Sequence, residues 1–138
     1  MATDGIGSPD PLQRLSAVSA KVSAVVAEAA AYWAPEAPPT TVVLGSIGQL
    51  LVERCDEFDD AELSAVFGVV EDVLTSGTAG EKDAVATGLL EGALHIGDRL
   101  PKALARALLF AGPESRAYCA AWNEFCGVAT NPNPRERS

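Results

Sequence analysis

Apolar residues recur at three- and four-residue intervals along most of this chain, the spacing that places them on one face of an α-helix. The pattern predicts six helices, at residues 11–33, 41–55, 60–76, 81–96, 101–110 and 112–125. Residues that favour helix ends stand in the right places, with Asp10 and Asp59 before the first and third helices and Gly77 after the third. We find no convincing strand. The sequence therefore predicts an all-α fold of antiparallel helix pairs, in a HEAT-like or irregular bundle.

The two ends of the chain differ in composition from its middle. Residues 1–9 and 129–138 are rich in Gly, Pro, Ser, Thr and Asn, so we expect flexible tails on either side of a helical domain at residues 10–128. The chain has 138 residues, of which 48% are apolar. That length and composition suffice for a single domain with a substantial core.

Two groups of aromatic residues are predicted to pack against this core. They are Tyr32 and Trp33 at the end of the first helix, and Tyr118, Trp122 and Phe125 along the last. Ser115 and Arg116 lie at the start of the last helix, where backbone N–H groups can bind an anion. A capped helix start explains the same residues, and we favour that interpretation.

Charge changes the picture, because the net charge of −9 is concentrated in one region. Residues 53–83 contain ten acidic and two basic residues, a local balance of −8. Scattered Lys and Arg argue against direct binding of nucleic acid or of an anionic membrane, and the acidic balance favours a basic protein partner. The sequence shows no secretory pattern and no apolar run long enough to span a membrane, so we expect a cytoplasmic protein whose cysteines are reduced.

The densest acidic run is predicted to bind the partner. It comprises Glu53, Asp56, Glu57, Asp59, Asp60 and Glu62, and we extend it with Glu71 and Asp72. Asp59 and Glu62 also suit the start of the third helix, where negative charge is favourable. By contrast, Glu53, Asp56 and Glu57 follow the end of the second helix, where negative charge opposes the helix dipole. A binding surface and a plain solvated turn therefore both remain open.

The remaining residues indicate little chemistry. His95, the only histidine, lies one helical turn after Glu91, but one such pair is weaker than the repeated carboxylate and histidine motifs of di-iron bundles. No nucleophile–base pair or phosphate-binding glycine motif is present. We therefore expect no enzymatic activity, no cofactor and no metal.

Two stretches of the chain carry a resemblance to a known kind of family. The first joins residues 66–71 to 81–91, and contains the sequence Val-Ala-Thr-Gly-Leu-Leu-Glu; the second is residues 109–125. Together they resemble a family of small, all-helical bacterial proteins that look like immunity proteins of polymorphic toxin systems. The resemblance implies a cytosolic protein that binds and occludes a cognate toxin domain without catalysis. It implies no particular site residues.

The sequence thus leaves three functional hypotheses, in a stated order. The first is an immunity protein that binds a basic toxin domain through the acidic run, because an acidic inhibitor is steered towards a basic nuclease surface. The second is a helical adaptor that binds some other basic protein. The third is a small-ligand or metal-binding regulator that uses Glu91 and His95.

Overall fold

The computed structural model of the protein describes residues 10–122, and within this range the chain forms seven helices and no strand. The helices are α1 Pro11–Val18, α2 Ala20–Trp33, α3 Thr40–Glu53, α4 Asp60–Ser76, α5, α6 Pro101–Leu108 and α7 Pro113–Trp122. Helix α5 has three consecutive segments, Ala79–Ala84, Val85–Leu90 and Glu91–Gly97. The all-α, single-domain prediction is confirmed. The two predicted tails and the predicted C-terminal turns of the last helix, including Phe125, lie outside the described residues.

The prediction of one helix at residues 11–33 is wrong, because the helix breaks at Ser19. The backbone of Ser19 is extended, and its hydroxyl accepts a hydrogen bond from the N–H of Val22 at 3.2 Å, which caps α2. Ser19 is buried, and its hydroxyl donates to the Glu62 carboxylate of α4 at 2.7 Å. The apolar period continues through the break, so periodicity alone could not reveal it.

Glycines explain the close packing of α3 against α5. A side-chain carbon placed on Gly48 would lie within 2.9 Å of the Ala93 backbone nitrogen, and one on Gly88 would lie within 2.8 Å of the Thr41 carbonyl oxygen. Backbone therefore meets backbone at this crossing, which only glycine permits. The middle segment of α5, Val85–Leu90, is π-helical and contributes four of the fully buried or nearly buried side chains at the crossing. Local π-helical turns rotate the following residues, and here they bring Leu89 and Leu90 into the core.

The main core lies where α3, α4 and α5 meet. Its largest fully buried side chains include Phe58, Phe67, Leu44, Leu51 and Leu89. Phe58 follows the last turn of α3 and precedes α4, so burial of its ring fixes the acidic connection between these helices against the core. None of the helices in the described part of the chain is long and apolar enough to cross a membrane.

Candidate functional site

The acidic run forms a structured turn between α3 and α4. Residues Cys55–Glu57 make one turn of 3-10 helix, and Arg106 of α6 closes over it. The Arg106 guanidinium donates hydrogen bonds to the carbonyl oxygens of Cys55 and Phe58, the second at 2.9 Å, and to the Asp60 carboxylate at 3.0 Å. These hydrogen bonds, with that to Asp60 the largest cause, raise the pKa of Arg106 and keep it charged. A single cation from a distant helix therefore fixes the backbone of the turn.

Three of the predicted site residues have partners inside the protein. Asp59 caps α4 by accepting from the backbone N–H of Glu62 at 2.7 Å. Glu62 turns away from a reciprocal capping contact and binds Lys21 at 3.2 Å as well as Ser19. Asp60 pairs with Arg106. These carboxylates stabilise the fold, so their charge is partly neutralised before any partner arrives.

Glu71 and Asp72 do not join the turn. They lie 11 residues beyond Asp60 on the same helix, about 16 Å along its axis. Asp72 forms an ion pair with Arg14 of α1 at 2.6 Å. The structure thus places these two predicted residues near the opposite end of α4, with structural contacts of their own.

Glu71 binds the N-terminus of α7. Its carboxylate accepts from the backbone N–H groups of Glu114 at 2.7 Å and Ser115 at 3.1 Å, and from the Ser115 hydroxyl at 3.1 Å. The anion that the start of this helix could hold is therefore supplied by the protein itself. This confirms the capped-start interpretation of Ser115.

The other three residues of the run are exposed at its outer edge. Glu57 lies 3.6 Å from Arg54 in a solvent-exposed pair, which contributes little to stability. Glu53 and Asp56 have no Lys, Arg or His within ion-pair distance among residues 10–122. The unfavourable charges after α3 therefore remain without an internal explanation, unlike Asp59, Asp60 and Glu62.

An open groove between α2 and α3 leads away from Glu53. It has a volume of about 880 Å³, and its floor is formed by half-buried or buried Val25, Val43 and Leu50. Tyr32, at the far end of α2, is 84% exposed and lies edge-to-face against Trp33 with ring centroids 6.1 Å apart. The prediction that Tyr32 packs against the core is therefore wrong. Its exposure follows from the shallow packing of α2, of which only Val22 is buried.

Sequence reasoning missed this groove, although a signal was present. The outer part of α2 is mostly alanine, including Ala24, Ala27, Ala30 and Ala31. Alanine supplies helix propensity but little apolar surface, so a helix of this composition can form without being deeply buried. An exposed aromatic pair at the end of such a helix was the available indication.

The Glu91–His95 pair is directed to internal contacts with α7. Glu91 accepts a hydrogen bond from the Tyr118 hydroxyl, and the His95 ring lies edge-to-face against Trp122 with centroids 5.3 Å apart. Burial, followed by this hydrogen bond to Glu91, raises the pKa of Tyr118. Across residues 10–122 no group of three or more His, Cys, Asp or Glu side chains could hold a metal ion.

The two stretches that carry the family resemblance meet in the structure. Glu71 and Glu91 belong to the first, and their carboxylates bind Ser115 and Tyr118 of the second. The residues of the resemblance therefore join α4 and α5 to α7, and their visible role is to assemble the fold.

The fold defines an all-α, single-domain helical protein. The chain belongs to the family described as a domain of unknown function, DUF7674, which matches residues 13–127. No curated protein and no solved structure matches the chain significantly. The family match carries no function, so the resemblance to immunity proteins stays a prediction.

Proposed function

We propose that the protein is a non-catalytic immunity protein that binds and occludes a basic toxin domain in the cytoplasm. The observation that carries the proposal is the pair of exposed carboxylates, Glu53 and Asp56, on a turn whose backbone is held by Arg106. Charges on a fixed turn can meet a basic surface with little loss of conformational freedom. They also create a local negative field without relying on a mobile loop.

The overall charge supports the same proposal. A net charge of −9 on 138 residues attracts a basic partner over distance and accelerates encounter at low salt. Carboxylates can occupy the positions where a basic nuclease holds nucleic-acid phosphates. Inhibition by occlusion then requires only tight binding, and no reactive group on this chain.

The structure narrows the residues that can test the proposal. Changing Asp59, Asp60 or Glu62 would remove a helix cap or an internal ion pair, so lost binding could reflect damage to the fold. Changing Glu53 and Asp56 removes no such contact within the described residues. We therefore assign the first contact with the partner to these two residues, with Glu57 beside them.

The test is affinity capture from the source organism with the immobilised full-length protein and with Glu53→Lys/Asp56→Lys. Asp83→Lys/Asp98→Lys is the matched control, because it changes two exposed carboxylates elsewhere and shifts the net charge equally. We expect wild type and control to capture the same basic protein at low salt, and the turn variant to bind it at least about tenfold more weakly.

The captured protein is then assayed for activity with and without the purified chain. Inhibition by wild type and loss of inhibition by the turn variant would support the proposal. Equal capture by the turn variant and wild type would refute the assignment of the turn. Capture of a basic protein whose activity is unaffected would favour the adaptor hypothesis.

A further inference from the structure

The groove between α2 and α3 has the dimensions of a helix-binding site. Each helix has 14 residues, so the groove is bordered by walls about 21 Å long. Ala20 and Ala24 line it with small side chains, which would let another backbone approach closely. Helix-binding grooves of proteins combine such an apolar floor with positions for side chains at i, i+3 or i+4, and i+7.

The charges of the groove select the chemistry of its occupant. Its two cations already have partners, since Lys21 binds Glu62 at 3.2 Å and Arg54 lies 3.6 Å from Glu57. Its two carboxylates, Glu28 and Glu53, have no ion-pair partner in the part of the chain that the structure describes. The charge still available in the groove is therefore negative.

The arrangement also has a direction. Helices α2 and α3 are joined by the short segment 34–39 and pack as antiparallel neighbours, so Tyr32 and Val42 lie at the closed end of the groove. Glu53 lies at the other end, where the groove meets the acidic turn. An occupant would place an apolar or aromatic anchor near Tyr32 and basic residues towards Glu53.

We propose that this groove binds an amphipathic, basic α-helix of the partner protein. The inference rests on the proposed function in treating the chain as a binding protein, but it uses a different surface from the acidic turn. A second copy of the chain is disfavoured as occupant, because it would bring two molecules of charge −9, each with Glu28 and Glu53 at the contact, against one another.

The test is selection of helical peptides, about 15 residues long to match the groove, from a displayed library against the full-length protein. Ala24→Arg fills the groove and places a cation one turn before Glu28, while Ala24 itself is exposed. Ala27→Arg is the matched control, because Ala27 is exposed on the same helix and does not line the groove. Circular dichroism establishes that both variants are folded before binding is compared.

We expect selected peptides to carry apolar residues at helical spacing with Lys or Arg towards one end. A synthetic copy should bind wild type and Ala27→Arg equally, and should lose at least about tenfold in affinity for Ala24→Arg. Glu28→Gln should weaken binding by a smaller factor that disappears at high salt.

Several outcomes would overturn the inference. Peptides that bind Ala24→Arg as well as wild type would place the site elsewhere, and neutral or acidic peptides would refute the charge argument. Failure to select any helical peptide would do the same. A dimer in sedimentation that Ala24→Arg dissociates would identify a second copy as the occupant. Because the acidic-turn variants are measured separately, failure at the groove leaves the test of the proposed function intact.

Discussion

The contact between Glu71 and the start of α7 allows a sharp prediction about stability. Replacing Glu71 with Ala removes the acceptor for two backbone N–H groups and for the Ser115 hydroxyl. Glu114 is exposed, so water can take over its N–H group. Ser115 is 0% exposed, so its N–H and hydroxyl would be left without a partner.

The magnitude follows from the two orphaned groups. A buried donor left unsatisfied costs about 1–3 kcal/mol, and loss of negative charge at a helix N-terminus costs about 0.3–1 kcal/mol more. We therefore expect Glu71→Ala to lower the free energy of unfolding by roughly 2–5 kcal/mol, a large part of the approximately 5–15 kcal/mol typical of a domain. Glu71→Gln, which keeps one acceptor oxygen, should lose less.

Urea denaturation followed by circular dichroism measures this difference. The matched control is Asp72→Ala, at the next residue, which removes only the exposed ion pair with Arg14 and should cost at most about 1 kcal/mol. If Glu71→Ala is no less stable than Asp72→Ala, then Ser115 does not depend on Glu71, and the account of how α7 is attached is wrong.

Two further predictions concern the α3–α5 crossing and the α5–α7 contact. Gly48→Ala should lower the free energy of unfolding by about 2–3 kcal/mol, because its added carbon would overlap the backbone of Leu89, whereas Gly68→Ala, which meets nothing within 4 Å, should raise it by about 0.5–1 kcal/mol. Equal effects in denaturant titrations would contradict this. Tyr118 should ionise later than ordinary tyrosine in an alkaline absorbance titration, because burial and the Glu91 carboxylate raise its pKa. Since the folded-state pKa is raised, this stability is fully present below about pH 10 and is lost as pH rises towards the folded pKa; an unchanged titration of Tyr118→Phe would refute the assignment.

Much of the fold could be predicted because its signals are local. The start and end of α4 follow from Asp59, the apolar spacing and Gly77, all of which act within about one helical turn. The break at Ser19 could not be predicted in this way, because its buried hydroxyl has a partner 43 residues away, in Glu62. A serine within an apolar period is compatible with a continuous helix until that contact is known.

The candidate site was predictable as a concentration of charge, but not as an arrangement. Composition identified residues 53–62 as acidic, and dipole reasoning separated Glu53 and Asp56 from the helix-start carboxylates. Which of them have internal partners depended on Arg106, which lies 46 residues beyond Asp60. The groove beside Glu53 required the relative placement of α2 and α3, which the spacing within each helix does not specify.

The sequence by itself therefore determined the helical class, most helix ends and the place of the excess negative charge. These depend on periodicity, capping and composition, which are properties of neighbouring residues. Only the tertiary structure decided which acidic residues stabilise the fold and which remain exposed, and where α2 leaves an open groove. The physical reason is that pairing and burial depend on side chains brought together from distant parts of the chain, such as Glu71 with Ser115 and Asp60 with Arg106.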